Sequence, residues 1–133
     1  MRPFKMLFGA LIVAGIAPLS VAAPQAAIVT DFAQSAFTTA QVEGKPILVH
    51  IVASWCPTCA AQRPILARLE AEAEFKDLLV FNVDFDSQKD AVRELGARMQ
   101  STLVAFHGSR EVGRSVGDTN PDSLKALLDK TIR

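Results

Sequence analysis

Several residue types are scarce in this sequence, and each shortage excludes a class of protein. The 133 residues include no tyrosine, two cysteines and two histidines, and 14 acidic side chains balance 14 basic ones. Two cysteines are too few for a small scaffold held together by disulfides. A formal net charge of zero gives the whole chain no electrostatic attraction to nucleic acid. Because half of the residues are hydrophobic, a disordered chain is excluded as well.

A long apolar stretch lies near the N-terminus. Arg2 and Lys5 precede the apolar residues 6–19, and small residues follow at 20–23. This arrangement predicts a secretory signal peptide over residues 1–23, cleaved near Ala22 or Ala23. The alternative is an uncleaved membrane anchor, but a run of about 14 residues is shorter than the ~20 that span a bilayer as a helix. The expected location is outside the cytoplasm, which in a bacterium is the periplasm.

We expect the exported chain to begin at residue 23 or 24, with 12 basic and 14 acidic side chains remaining. Both cysteines stay in this part, in a compartment where disulfides persist. N-terminal sequencing of the secreted product tests the expectation, and a secreted chain with an intact Met1 would contradict it.

The remaining residues, 24–133, have the pattern of one α/β domain. Apolar runs rich in β-branched residues predict buried strands over 47–53 and 78–83, and a third strand over 102–106. A turn at Gly108-Ser109 joins the third strand to a fourth over 111–116. Strands joined by helices predict parallel pairing, so we expect a mixed sheet of parallel strands plus a C-terminal antiparallel hairpin.

Helices are predicted on both sides of this sheet. Helical spacing of apolar residues predicts one long helix over 56–76, with Glu72 and Lys76 as an i,i+4 ion pair. Ser87 and Asp90 have the spacing of a capping box that starts a second helix. Asn120 followed by proline predicts the start of the last helix.

The two cysteines lie between the first buried strand and the long helix, in the sequence Trp55-Cys56-Pro57-Thr58-Cys59. Proline suits the first turn of a helix, so Cys56 is expected at the helix N-terminus. Free N–H groups and the helix dipole stabilise a thiolate there, which lowers its pKa below the usual value of about 8.5. Cys59, one turn further, can close a disulfide with Cys56. This arrangement favours thiol–disulfide exchange.

Three alternatives remain for the cysteine pair. A structural disulfide is one, although so short a loop restrains little of the chain. Half of a zinc site is another, but no second ligand pair occurs and His50 and His107 are isolated. The third is a non-catalytic module that holds a soft metal such as Cu(I) for delivery, with Met99 as the candidate extra ligand.

From about residue 32 to the C-terminus, the chain resembles the thioredoxin-fold proteins. Residues 55–59 match the family's Trp-Cys-x-x-Cys signature, Pro64 matches its helix-kinking proline, and residues 96–106 resemble its loop and strand opposite the active site. The resemblance implies a thioredoxin fold and a thiol–disulfide oxidoreductase with Cys56 and Cys59 as the redox-active disulfide. It leaves open whether the exchange runs in the reductive or the oxidative direction.

The resemblance also implies partners and cofactors. The expected partners are protein thiols and disulfides, together with a redox partner that resets the pair; a membrane-embedded thiol carrier is one candidate. A monomer without nucleic acid, bound organic cofactor or metal is expected. Trp55, Pro57, Thr58, His50 and Ser101 are the positions expected to support the cysteines.

The chain departs from the family pattern at His50, where the family often carries a buried acid that moves protons for the second thiol. A neutral imidazole there is a candidate base toward Cys59, and a protonated one would stabilise a nearby thiolate. An equally weighted alternative is a buried neutral histidine that is satisfied by hydrogen bonds.

The second departure is Ser101, where the family usually places a cis-proline. A cis bond before a residue other than proline costs ~3–4 kcal/mol. We therefore predict a trans peptide bond between Gln100 and Ser101. The Ser101 hydroxyl is a candidate hydrogen-bond donor to a cysteine sulfur.

Overall fold

The computed structural model describes residue 23 and residues 25–133. The signal peptide predicted over residues 1–23 lies outside this range except for its last residue. None of the described helices combines the length and the hydrophobicity needed to cross a membrane.

Strands and helices alternate along most of the described chain, in agreement with the expected α/β class. In chain order the elements are β1 (Ile28–Asp31), α1 (Gln34–Val42), β2 (Pro46–Val52), α2 (Pro57–Glu70), a 3₁₀ turn (Ala73–Phe75), β3 (Leu79–Asp84), α3 (Lys89–Glu94), β4 (Thr102–His107), β5 (Arg110–Val116) and α4 (Pro121–Asp129).

The five described strands form one mixed sheet in the order β1-β3-β2-β4-β5. β1 and β2 run parallel to β3, and β4 and β5 form the predicted antiparallel hairpin. One detail differs from the prediction, because β4 itself runs antiparallel to β2. The connection through the six-residue α3 stays at the end of the sheet where β3 finishes. The chain therefore enters β4 at the end where β2 finishes, with Thr102 opposite Ile51.

Alternation along β2 places its side chains in two hydrophobic cores, one on each face of the sheet. Ile47, Val49 and Ile51 pack with phenylalanines of the β1–α1 region and with α3. Leu48 packs on the opposite face with residues of α2 and α4. His50 shares the parity of Leu48, so its side chain points to the face that α2 covers.

The long helix predicted over 56–76 ends earlier, at Glu70. Glu72 has an extended backbone (φ −69°, ψ 137°), and the chain then turns so that Phe75 is fully buried. Because the helix has ended, the predicted Glu72–Lys76 pair does not form. Glu72 instead contacts Lys125 of α4, with its Oε2 2.9 Å from the Lys125 Nζ.

The predicted start of α3 is also wrong, whereas that of α4 is confirmed. Helix α3 begins after Gln88 with no side-chain cap, since the Ser87 hydroxyl donates to Asp84 Oδ1 at 2.8 Å. The Asn120 side chain accepts hydrogen bonds from the N–H groups of Asp122 and Ser123, which are free at a helix start.

Candidate functional site

Cys56 and Cys59 lie where β2 leads into α2. Cys56 is the N-cap residue of α2, with Pro57 in the first turn, as predicted. The Cys56 Sγ accepts a hydrogen bond from the backbone N–H of Cys59 at 3.1 Å. Both cysteines are free thiols in this structure; Cys56 is 4% exposed and Cys59 is fully buried. At the start of α2, the Cys56 sulfur therefore accepts a hydrogen bond from the helix backbone, whereas the Cys59 sulfur is buried in the protein.

Burial and hydrogen bonding act in opposite directions on Cys56. Burial, the largest single effect, raises the pKa of the Cys56 thiol by disfavouring its charged form. Hydrogen bonds from the Cys59 thiol, from the backbone of Cys59 and Thr58 and from the Gln100 side chain outweigh it, so the pKa of Cys56 lies below its ordinary value. The expected thiolate therefore forms at Cys56, with Thr58 contributing through its backbone.

The pKa of the Cys59 thiol is raised instead. Burial is the main cause, and the thiol of Cys59 is further held in its protonated form by donating to Cys56. The pKa values of the two thiols are thus shifted in opposite directions. Cys56 favours the nucleophilic thiolate, and Cys59 favours the protonated thiol.

Trp55 lies on the surface beside the cysteines. Its side chain is 57% exposed, and its Nε1–H donates to the Asp86 Oδ2 at 2.8 Å. Asp84 accepts from the backbone N–H groups of Asp86 and Ser87, so the two aspartates shape a turn after β3. This turn fixes the tryptophan and leaves its apolar ring available to a partner.

Ser101 lies opposite the cysteines in a left-handed backbone conformation, with φ +56°. Its peptide bond to Gln100 is trans, as predicted, since the described residues contain no cis bond. The Ser101 hydroxyl does not donate to a sulfur; it donates to the Gln100 carbonyl at 2.6 Å. Non-glycine residues rarely take this backbone conformation, and it persists only where surrounding contacts impose it.

Three backbone and side-chain bonds impose that conformation. The Ser101 N–H donates to the Ile51 carbonyl at 2.8 Å. The Ser101 carbonyl accepts from the Gly117 N–H at 2.9 Å and from the Gln62 Nε2 at 3.2 Å.

His50 is buried (3% exposed) and is not bonded to a cysteine. Its Nε2 lies 2.9 Å from the Oε1 of Gln62. Burial, the main cause, lowers the pKa of His50, while the bond to Gln62 raises it and the charge of Arg63 lowers it. The structure therefore favours a neutral, hydrogen-bonded imidazole, the satisfied histidine that the sequence left as an alternative.

Sequence reasoning missed Gln62, which is fully buried. A signal for it exists in the pattern, because Cys59, Gln62, Leu66 and Leu69 follow the helical spacing of the buried face of α2. A glutamine within such a stripe must find hydrogen-bond partners inside the protein.

The alternative of a metal-delivery module gains no support. In the part of the chain that the structure describes, no group of three or more His, Cys, Asp or Glu side chains is placed to hold a metal ion. Met99, the candidate extra ligand, is an exposed side chain in the loop before β4.

Comparisons with known proteins show which family the chain resembles. The family model described as "Thioredoxin" matches residues 28–130. Thioredoxin Asp f 29 of Aspergillus fumigatus is 34% identical over 83 residues, 62% of this chain and 74% of that protein. The solved structure of Trxlp from Edwardsiella tarda EIB202 has a TM-score of 0.73 and 42% identity, covering 75% of this chain and 97% of that one. That of Malassezia sympodialis thioredoxin (Mala s 13) has a TM-score of 0.73 at 20% identity, covering 87% of this chain and 100% of that one, and supports the fold alone.

Opposite pKa shifts predict selective alkylation of the reduced protein. Iodoacetamide should modify Cys56 with a half-maximal rate at a pH below the ordinary thiol pKa, and should leave Cys59 unmodified. Mass spectrometry of digests after timed quenching measures both rates against pH.

The matched variant for this experiment is Cys59→Ala. It removes the thiol donor while keeping the backbone N–H, so the Cys56 profile should move to higher pH. Faster modification of Cys59 than of Cys56, or a Cys56 profile equal to that of free cysteine, would contradict the assignment.

Proposed function

Since this chain belongs to the thioredoxin family of thiol–disulfide oxidoreductases, we propose that Cys56 and Cys59 are the pair that exchanges thiols and disulfides with protein substrates. The observation that carries the proposal is the 3.1 Å hydrogen bond from the Cys59 N–H to the Cys56 Sγ at the start of α2. A thiolate at this position is stabilised both as the attacking group and as the leaving group.

In the reductive direction, the Cys56 thiolate attacks one sulfur of a substrate disulfide. A bond forms between Cys56 and that sulfur, the substrate S–S bond breaks, and the second substrate sulfur leaves with the electron pair and takes up a proton. Cys59 then loses its proton and attacks the Cys56 sulfur. The Cys56–Cys59 disulfide forms, the first substrate sulfur leaves as a thiolate, and the substrate has gained two electrons.

The oxidative direction is the reverse of these steps. The buried, protonated Cys59 suits the role of second nucleophile in the reductive direction. Its raised pKa keeps it from competing with Cys56 for substrate, and loss of the Cys56 negative charge in the mixed disulfide removes one of the causes of that raised pKa. The potential of the pair and its partner together set the direction.

Members of the family act on protein disulfides and are reset by a reductase partner. For this chain we propose that the partner docks at the surface formed by the exposed side chains of Trp55 and Pro57 on either side of Cys56. If the chain is exported as its N-terminal sequence predicts, that partner must deliver or accept electrons outside the cytoplasm, where a membrane-embedded thiol carrier fits the need.

Reduction of insulin disulfides by dithiothreitol tests the proposal. The wild-type chain should accelerate the reaction. Cys56→Ser should lose the acceleration entirely, since no sulfur remains to attack the substrate. Reduced Cys59→Ser that is mixed with insulin after removal of dithiothreitol should accumulate a covalent mixed disulfide at Cys56, which a mass shift in non-reducing conditions detects.

Arg68→Gln, on the exposed face of the same helix, is the matched control, and its activity should stay at the wild-type level. Acceleration that survives Cys56→Ser would exclude this pair as the site of exchange.

A further inference from the structure

Gln62 connects three parts of the molecule that meet behind the cysteines. From the buried face of α2 it reaches His50 on β2, the Ser101 carbonyl before β4, and the Asp118 carbonyl in the segment between β5 and α4. The respective distances are 2.9, 3.2 and 3.0 Å. Every polar atom of this buried side chain therefore has a partner, and each partner belongs to a different segment.

The two carbonyl contacts fix the orientation of the Gln62 amide. Carbonyl oxygens only accept, so the NH₂ group must point to Ser101 and Asp118 and the Oε1 must point to His50. An amide oxygen only accepts as well. The His50 Nε2 must then carry a hydrogen, which defines the tautomer of the neutral ring and leaves the lone pair on Nδ1.

The second ring nitrogen, Nδ1, faces away from this bond. Because Nε2–H donates to Gln62, Nδ1 is the ring nitrogen that can take up a proton. His50 lines a cavity of about 430 Å³ between α2 and the sheet. The charged groups that face it are Arg63 and Glu70 of α2 and Asp31 of β1.

We propose that Gln62 is a positioning residue that couples the protonation of His50 to the backbone of Ser101 opposite the cysteines. This inference rests on the proposed function, because it assigns a regulator to the same cysteine site. Protonation occurs at Nδ1 from the cavity and leaves the Nε2–H bond to Gln62 in place. A charged donor forms the stronger hydrogen bond, so the amide is held more firmly when His50 is protonated.

The bond from Gln62 affects the cysteine site through the backbone of Ser101. Its left-handed backbone is held in part by the Gln62 amide on its carbonyl, beside the bond from Gly117. The same loop carries Gln100, whose side chain lies near Cys56 and lowers the pKa of its thiol. Loss of the Gln62 amide is therefore expected to loosen the loop and to weaken this stabilisation of the Cys56 thiolate.

The test uses the full chain with ¹⁵N-labelled histidine, and the His107→Asn variant assigns the two imidazole spectra. In the wild type, neutral His50 should show a protonated Nε2 and an unprotonated Nδ1. Gln62→Met, which keeps the length of the side chain without its amide, should lower the pKa of His50, because the bond from the ring to Gln62 favours the charged form.

Arg63→Gln is the matched control on the neighbouring residue. It removes a nearby positive charge while keeping the Gln62 amide, so the pKa of His50 should rise instead. Opposite shifts in the two variants would support the assignment. An unchanged or raised pKa of His50 in Gln62→Met would overturn it.

Hydrogen exchange tests the second half of the coupling. In Gln62→Met the Gly117 N–H, which donates to Ser101, should exchange at least about tenfold faster, whereas the Val49 N–H in β2 should keep its rate. At a pH where His50 is neutral in both proteins, Arg63→Gln should leave both rates as in the wild type. Equal acceleration of Gly117 and Val49 would indicate general destabilisation and would overturn the positioning role.

If Gln62→Met does not fold, the tautomer of His50 in the wild type still decides the question. A neutral His50 protonated at Nδ1 would refute the bond from the ring to Gln62. None of these measurements depends on exchange activity. Failure of the insulin assay would therefore reject the cysteine assignment, whereas failure of the histidine measurements would reject the role of Gln62.

Discussion

The hydrogen bond from the Cys59 N–H to the Cys56 sulfur is the interaction on which the site depends. It exists because the chain leaves a buried strand and starts a helix within a few residues, with Cys56 as the N-cap. The same turn of helix buries Cys59, so one local geometry lowers one thiol pKa and raises the other. The mixed sheet positions the site, because it fixes the end of β2 and places the start of β4 at that same end of the sheet.

Burial of polar groups behind the cysteines adds a second constraint. His50 and Gln62 lie on a face of the sheet that is otherwise apolar and rich in leucine, where an unpaired polar atom costs about 1–3 kcal/mol. Their mutual bond and the two carbonyl partners of Gln62 remove that cost. The same bonds help to hold Ser101 in a conformation that it would not take alone. The Gln62 side chain thus satisfies the hydrogen bonds of the buried polar groups and also holds the strained backbone of Ser101.

Much of this arrangement was predictable from the sequence. The buried strands around His50 and Phe81, the helix start at Cys56 and the cap at Asn120 follow from local signals, and the structure confirms them. The early end of α2 could not be predicted from the sequence. It depends on the burial of Phe75, a tertiary contact that ends the helix although the helical spacing of apolar residues continues. The direction of β4 is set by its tertiary pairing with β2, and the partners of Gln62 lie up to 56 residues away in the chain. Such contacts leave no local pattern, although a glutamine in an apolar stripe indicates that partners must exist.

The most direct test of the central claim is the equilibrium of the reduced chain with mixtures of reduced and oxidised glutathione, followed by mass spectrometry after acid quenching. If Cys56 and Cys59 act as one redox unit, the protein should pass between dithiol and internal disulfide in a single two-electron transition. The midpoint would also give the potential of the pair, which together with that of the partner sets the direction of exchange. Accumulation of a stable glutathione adduct at Cys56, with Cys59 remaining a free thiol across the whole range, would contradict the account.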